Sequence, residues 1–186
     1  EITGSDPVGH LNVLFIKDCN DYMPKKRNFS ETEADSLIEK AAAEGAYITV
    51  HLGAPDAPAE NVTVTFPRYI KGVAASEIYP TWNESAIRAN VLAQISVALN
   101  RVYTEFYRSR GYDFDITNNT QYDQAFSPNK ETFENINAIV DDMFNNYIVR
   151  RGNVEPLYAQ FCDGVRTQCR GLSQWGSQEL AQQGRT

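Results

Sequence analysis

Glu77 has the setting in this 186-residue chain that best suits acid–base chemistry. It stands between the end of a short helical pattern and the turn Ile78-Tyr79-Pro80-Thr81-Trp82, where apolar and aromatic side chains crowd a carboxyl group. A carboxyl in an apolar, partly dry place keeps its proton longer and donates it to the leaving oxygen of a glycosidic bond. The plainer reading is a solvent-facing glutamate at a helix end. Tyr79, Trp82 and Trp175 offer aromatic faces on which sugar rings stack, although such residues also serve as core anchors. No competing constellation is present: there is no Gly-x-Ser-x-Gly, no phosphate-binding loop of the Gly-x-x-x-x-Gly-Lys type and no His-Glu-x-x-His. The two histidines, His10 and His51, are far apart and lack ligand spacing, so neither a metal nor a cofactor is expected.

The elements that must position these groups read as follows. Leu11 to Lys17 is β-rich and predicts a strand. Ser30 and Glu33 make a capping box that opens a helix ending at Gly45. Ala46 to Leu52 predicts a strand, Gly53 to Glu60 a loop, and Asn61 to Phe66 an alternating, half-buried strand. Pro67 suits the first turn of a helix through Ser76, with Glu77 at its end. Proline at position 80 prevents that helix from continuing. Thr81 and Glu84 form a second capping box, opening a helix that should run to about Arg110, roughly 40 Å long, with one wet face. Glu131 to Tyr147 predicts another long helix and Pro156 to Phe161 a strand. A final helix, with Ser173 as N-cap, should stop near Gly184. Strands and helices mix without regular βαβ alternation, which predicts an α+β fold in a single mixed domain around the long central helix.

Composition narrows the partners. A net charge of −7 argues against a polyanion, so nucleic acid is not expected, and Lys25-Lys26-Arg27 reads as a solvated loop. No apolar run reaches the roughly 18 residues that a membrane-spanning helix needs. The chain opens at Glu1 without a basic or apolar leader, so its N-terminus says nothing of location. Of three cysteines, Cys162 and Cys169 bracket a turn-forming stretch that a disulfide closes easily, which would point to an oxidising, extracytoplasmic compartment. Two unpaired thiols are the alternative. Cys19 is left over.

Three ordered blocks carry a family resemblance. Tyr69-Ile70-Lys71-Gly72-Val73-Ala74-Ala75-Ser76-Glu77-Ile78, then Trp82 and Ala86-Ile87-Arg88-Ala89-Asn90, resembles the signature of the stage II sporulation protein D family. Asp115 to Phe126, with Gln124 and Phe126 in its closing places, is similar to a second family motif. Gly171-Leu172-Ser173-Gln174-Trp175-Gly176 resembles the third. The resemblance divides the chain into a SpoIID-like domain, residues 61–186, and an N-terminal extension, residues 1–60, packed on it.

The resemblance implies a lytic transglycosylase of peptidoglycan glycan strands, with Glu77 as the single acid and base and no second carboxylate. Tyr79, Trp82, Gln124, Ser173, Gln174 and Trp175 would bind substrate. It further implies a cell-wall or spore-associated, extracytoplasmic location, with other cell-wall or spore proteins as further partners. Two departures stand out. Ile95 occupies the place of the family's arginine, which alters the charge around the carboxylate. Thr117, Tyr122 and Asp123 stand where some members hold zinc. The alternatives are a binding module that keeps the fold without turnover and an oligomeric structural protein of the spore surface, which would show a large exposed apolar patch.

Overall fold

The computed structural model describes residues 4–5, 46–151 and 154–185. The strand expected at Leu11 to Lys17, the helix expected from Ser30 to Gly45, and Cys19 lie outside the described residues. The fold is α+β. In chain order the elements are β1 (Gly4–Ser5), β2 (Tyr47–His51), β3 (Asn61–Thr65), α1 (Phe66–Glu77), α2 (Glu84–Tyr103), a 3-10 turn (Arg108–Arg110), β4 (Ile116–Thr117), α3 (Glu134–Met143), β5 (Asn146–Tyr147), β6 (Phe161–Cys162), β7 (Leu172–Ser173) and α4 (Gln174–Gln182).

The largest sheet has the order β3-β2-β4. β2 pairs antiparallel with β3 from Tyr47↔Thr65 to His51↔Asn61 and parallel with β4 at Val50↔Ile116. Its central position explains why Ile48 and Val50 are fully buried. β1 pairs antiparallel with β5, and β6 pairs parallel with β7.

α1 follows β3 with no loop between them. Thr65 is its N-cap in extended conformation, and proline in the first turn supplies a preset φ where no backbone donor is needed. Glu77 is its last residue, as the spacing predicts. The Ile78 N–H bonds back to the Ala74 carbonyl while Ile78 itself turns extended and ends the helix. Phe66, Tyr69, Ile70 and Val73 bury one face of α1 against the core.

α2 departs from the sequence expectation in three ways. Its N-cap is Asn83, whose side chain accepts from the Ser85 N–H at 3.0 Å, so Thr81 is not part of a capping box. It ends at Tyr103, about 30 Å long at 1.5 Å per residue. Beyond it Glu105 takes φ 49°, the chain tightens into the 3-10 turn, and Gly111 closes that turn at φ 90°. Nor does its second half have a wet face, since nearly every residue from Asn90 to Val102 is buried. Ile87, Val91, Ile95, Leu99 and Val102 meet the apolar core. Three of the polar positions are bonded to the segments that cover them, Asn90 to the Ser177 hydroxyl, Ser96 to the Ile148 N–H and Asn100 to the Pro156 carbonyl, while the buried Gln94 side chain has no partner among the described residues.

Two further expectations are corrected. The helix expected over Glu131 to Tyr147 is only Glu134–Met143: Phe133 is extended at its N-cap, and Asn146–Tyr147 is drawn into pairing with Gly4–Ser5. The strand expected over Pro156 to Phe161 is reduced to one bridge, Val149↔Pro156, and the two-residue β6. No helix among the described residues is long and apolar enough to cross a membrane.

Gly72 lets α1 lie directly on Phe126. A Cβ at residue 72 would stand 2.8 and 2.9 Å from two Phe126 ring carbons. Gly72→Ala is expected to destabilise the protein by about 1 kcal/mol in urea unfolding, because overpacking of about 1–3 kcal/mol outweighs the helix-propensity gain. Adding Phe126→Leu should recover part of that loss, and additive effects would show that the two positions are not in contact.

Candidate functional site

Glu77 reaches the site because α1 ends there and the chain turns away at Pro80. Its side chain is half-buried on the wall of an open cavity of about 370 Å³. The Ala125 N–H donates to Oε1 at 2.8 Å, and the Gln174 amide approaches Oε2 at 3.4 Å, a long contact. Both partners favour the charged carboxylate, yet desolvation by burial outweighs them and raises the Glu77 pKa above its ordinary value. Its place at the carbonyl end of a helix adds repulsion of the same sign.

Gln174 is buried and opens α4. Ser173 precedes it as the N-cap, its hydroxyl accepting the Gly176 N–H at 3.0 Å. The serine hydroxyl thus holds the helix start in place. Gln124 is fully buried, accepting from the Tyr69 hydroxyl at 3.1 Å and donating to the Gln94 carbonyl at 3.1 Å. Both ends of its amide are used inside the protein, and its backbone neighbour is the Ala125 N–H on Glu77. Burial and the nearby charges of Asp123 and Glu77 push the Tyr69 hydroxyl well above its usual pKa, so it remains a donor.

The aromatic residues gather in one cluster. Tyr79 lies 5.7 Å from Trp82 and 5.8 Å from Trp175, and the two tryptophans are 5.0 Å apart, edge to face. Tyr79 and Trp175 are exposed while Trp82 is buried behind them. The cavity is lined by Glu77 and Gln174 but not by these three rings, so the structure sets an exposed aromatic surface and a polar groove at the two ends of the Gln174-Trp175 step.

Of the other groove residues, the two cysteines are expected from the sequence to pair, while several have no signal in it. Thr120 and Gln160 come from irregular segments, and Cys162 and Cys169, joined by a disulfide, form part of the wall. Asp123 also lines it, yet its carboxylate is wholly enclosed, so its backbone faces the groove. That carboxylate accepts from the Arg101 Nε at 2.7 Å, the Tyr107 hydroxyl at 2.6 Å and the Thr117 hydroxyl at 2.8 Å. Arg101 lies against the Phe106 ring, 3.7 Å from its centroid. Asp163 is held below its ordinary pKa by three backbone N–H donors and stays ionised. Glu77 and Asp163, both on the groove, are thus shifted in opposite directions. Ile95 is fully buried in the apolar core.

The raised pKa has a stability consequence with a definite sign. Between the unfolded-state value, near 4.5, and the higher folded value, the native state binds more protons, so stability falls as pH rises through that window. Glu77→Gln keeps the oxygen that accepts from Ala125 and removes the charge. Its thermal midpoint should exceed that of the wild type at pH 7, and the difference should vanish at pH 3.5. A constant difference across that range would show that Glu77 titrates normally.

Residues 59–149 match the family model described as stage II sporulation protein, SpoIID. The match covers Glu77, Gln124 and Ile95 and ends before Ser173. No curated protein and no solved structure gives a match. The matched segment contains the block from Tyr69 to Asn90 and supports reading the chain as a SpoIID-like family member.

Proposed function

We propose that the protein cleaves peptidoglycan glycan strands as a lytic transglycosylase, with Glu77 as its acid and base. The observation that carries this reading is a single half-buried carboxyl of raised pKa on the wall of an open groove, oriented by the Ala125 N–H and Gln174. Protonated Glu77 donates to the oxygen of the β-1,4 bond between N-acetylmuramic acid and N-acetylglucosamine, and that bond to C1 breaks. The resulting carboxylate takes the proton of the sugar's own 6-hydroxyl as its oxygen closes on C1. A 1,6-anhydro end forms and Glu77 regains its proton. No water and no second carboxylate are needed, which agrees with the enclosure of the Asp123 carboxylate.

Tyr79 and Trp175 supply exposed faces for sugar rings, backed by Trp82. Gln174 contacts both the acid and the substrate. Gln124 and Ser173 act through others, holding Ala125 and the α4 N-terminus. The family match supports a sporulation-related cell-wall role, and the disulfide supports an extracytoplasmic location. Of residues 1–60, the described parts pair with the rest of the fold, β1 with β5 and β2, as the central strand, with β3 and β4. A second reading, a glycan-binding module without turnover, is favoured by Ile95, which places a core side chain where the family has a cation.

Incubation of purified glycan strands should give 1,6-anhydro products by mass spectrometry, and Glu77→Gln should lower their rate by at least about 100-fold. In the wild type kcat/KM should fall as pH rises through the raised Glu77 pKa, because the first step consumes its proton. Absence of products with retained glycan binding would favour the binding module.

A further inference from the structure

The proposed chemistry leaves one wall of the groove without a task. Cys162 and Cys169 both line the cavity that holds Glu77, with their Cα atoms 6.1 Å apart across the disulfide. Between them Asp163 turns the chain, its Oδ1 accepting the backbone N–H groups of Val165, Arg166 and Thr167 at 3.0, 3.0 and 2.8 Å. Gly164 stands at φ 79°, and a Cβ there would collide with the Ser173 side chain. The loop is therefore pressed onto the N-cap of α4.

Two more links join loop and site. β6 carries Cys162 and pairs with β7 at Cys162↔Ser173, and the Trp175 N–H donates to the Asp163 carbonyl at 3.2 Å. Gln174, which reaches Glu77, lies between those two anchored residues. The cross-link, the helix cap and the amide beside the acid form one mechanical unit. The loop side of the cavity presents Gln160, Thr167 and Gln168, neutral groups that donate and accept hydrogen bonds, with the Gln168 amide nitrogen also held by the Gly164 carbonyl at 2.7 Å, and among the described residues no basic side chain lines the groove. This chemistry complements the amide and hydroxyls of a neutral N-acetylated sugar and offers no partner to an anionic one.

We propose that the loop closed by Cys162 and Cys169 is a specificity-determining binding element of this site. It holds a neutral N-acetylated sugar unit through Gln160, Thr167 and Gln168, and does so only while the disulfide is closed. The proposal rests on the saccharide reading of the Glu77 groove. Reduction by a dithiol breaks the one S–S bond, leaves two thiols and a cyclised reagent, and returns conformational freedom to residues 163–168. Binding must then bear the ordering of that segment.

The test is titration with tetra-N-acetylchitotetraose, a neutral β-1,4-linked probe, on Glu77→Gln protein so that turnover does not interfere. The oxidised protein should bind it. Affinity should fall about 10-fold on reduction and in the Cys162→Ser/Cys169→Ser form, with circular dichroism checking that each stays folded. Thr167→Ala/Gln168→Ala, which keeps the disulfide, should lose affinity by at least about 5-fold and decides the matter if the reduced forms unfold. No binding by the oxidised protein, or unchanged affinity in Thr167→Ala/Gln168→Ala, overturns the proposal. So does equal affinity of folded oxidised and reduced protein. Failure of the transglycosylase reading is seen separately, as absence of anhydro products from wild-type protein while disulfide-dependent binding persists.

Discussion

The constraint on which the rest of the structure depends is the burial of α2 on almost every side while it carries polar residues. A buried donor or acceptor without a partner costs about 1–3 kcal/mol, and breaking a buried ion pair about 3–5 kcal/mol. Most of the segments that cover α2 bring a matching group, whereas the buried Gln94 side chain and Asn90 Oδ1 are left without a partner among the described residues. The Ile148 N–H meets Ser96, the Pro156 carbonyl meets Asn100, Ser177 of α4 meets Asn90, and the Asp123 carboxylate meets Arg101. Hydrophobic burial alone would let irregular segments slide over the helix; these bonds give each of them one place.

Both walls of the groove inherit their positions from this. Gln124 is anchored to the Gln94 carbonyl of α2 and to Tyr69 of α1, so the Ala125 N–H beside it points at Glu77. On the other side α4 is docked through Ser177, and Gln174 at its first turn faces the same carboxyl. Glu77 is thereby oriented by two segments that each answer to the same helix. The carboxyl keeps a raised pKa because these contacts do not fully replace the water it has lost.

The departures from the family pattern have a physical reading in the same frame. Ile95 projects into the apolar core, where an arginine side chain would need a partner. A buried cation is found instead at Arg101, nearer the end of α2 and committed to Asp123. Thr117 and Arg101 both donate to the Asp123 carboxylate, which forms a hydrogen-bonded support under the groove.

Local chemistry by itself determined much of the frame: the alternation of Asn61 to Thr65, proline in the first turn of α1, Glu77 at that helix's end, and Ser173 as the cap of α4 all follow from propensity and steric rules acting over a few residues. Where partners far apart in sequence compete with those rules, sequence was not enough. Tyr147 looks helical but pairs with Gly4, and the polar face of α2 looks wet but is covered. Gln124 reads as a substrate contact by position, yet two bonds within the protein enclose it. The groove has the same origin, because Thr120, Gln160 and the disulfide loop carry no periodic signal and meet Glu77 only after α1, α2 and α4 have packed. Short-range rules act through adjacent backbone, whereas the site is assembled by contacts between residues 48 and 97 positions apart.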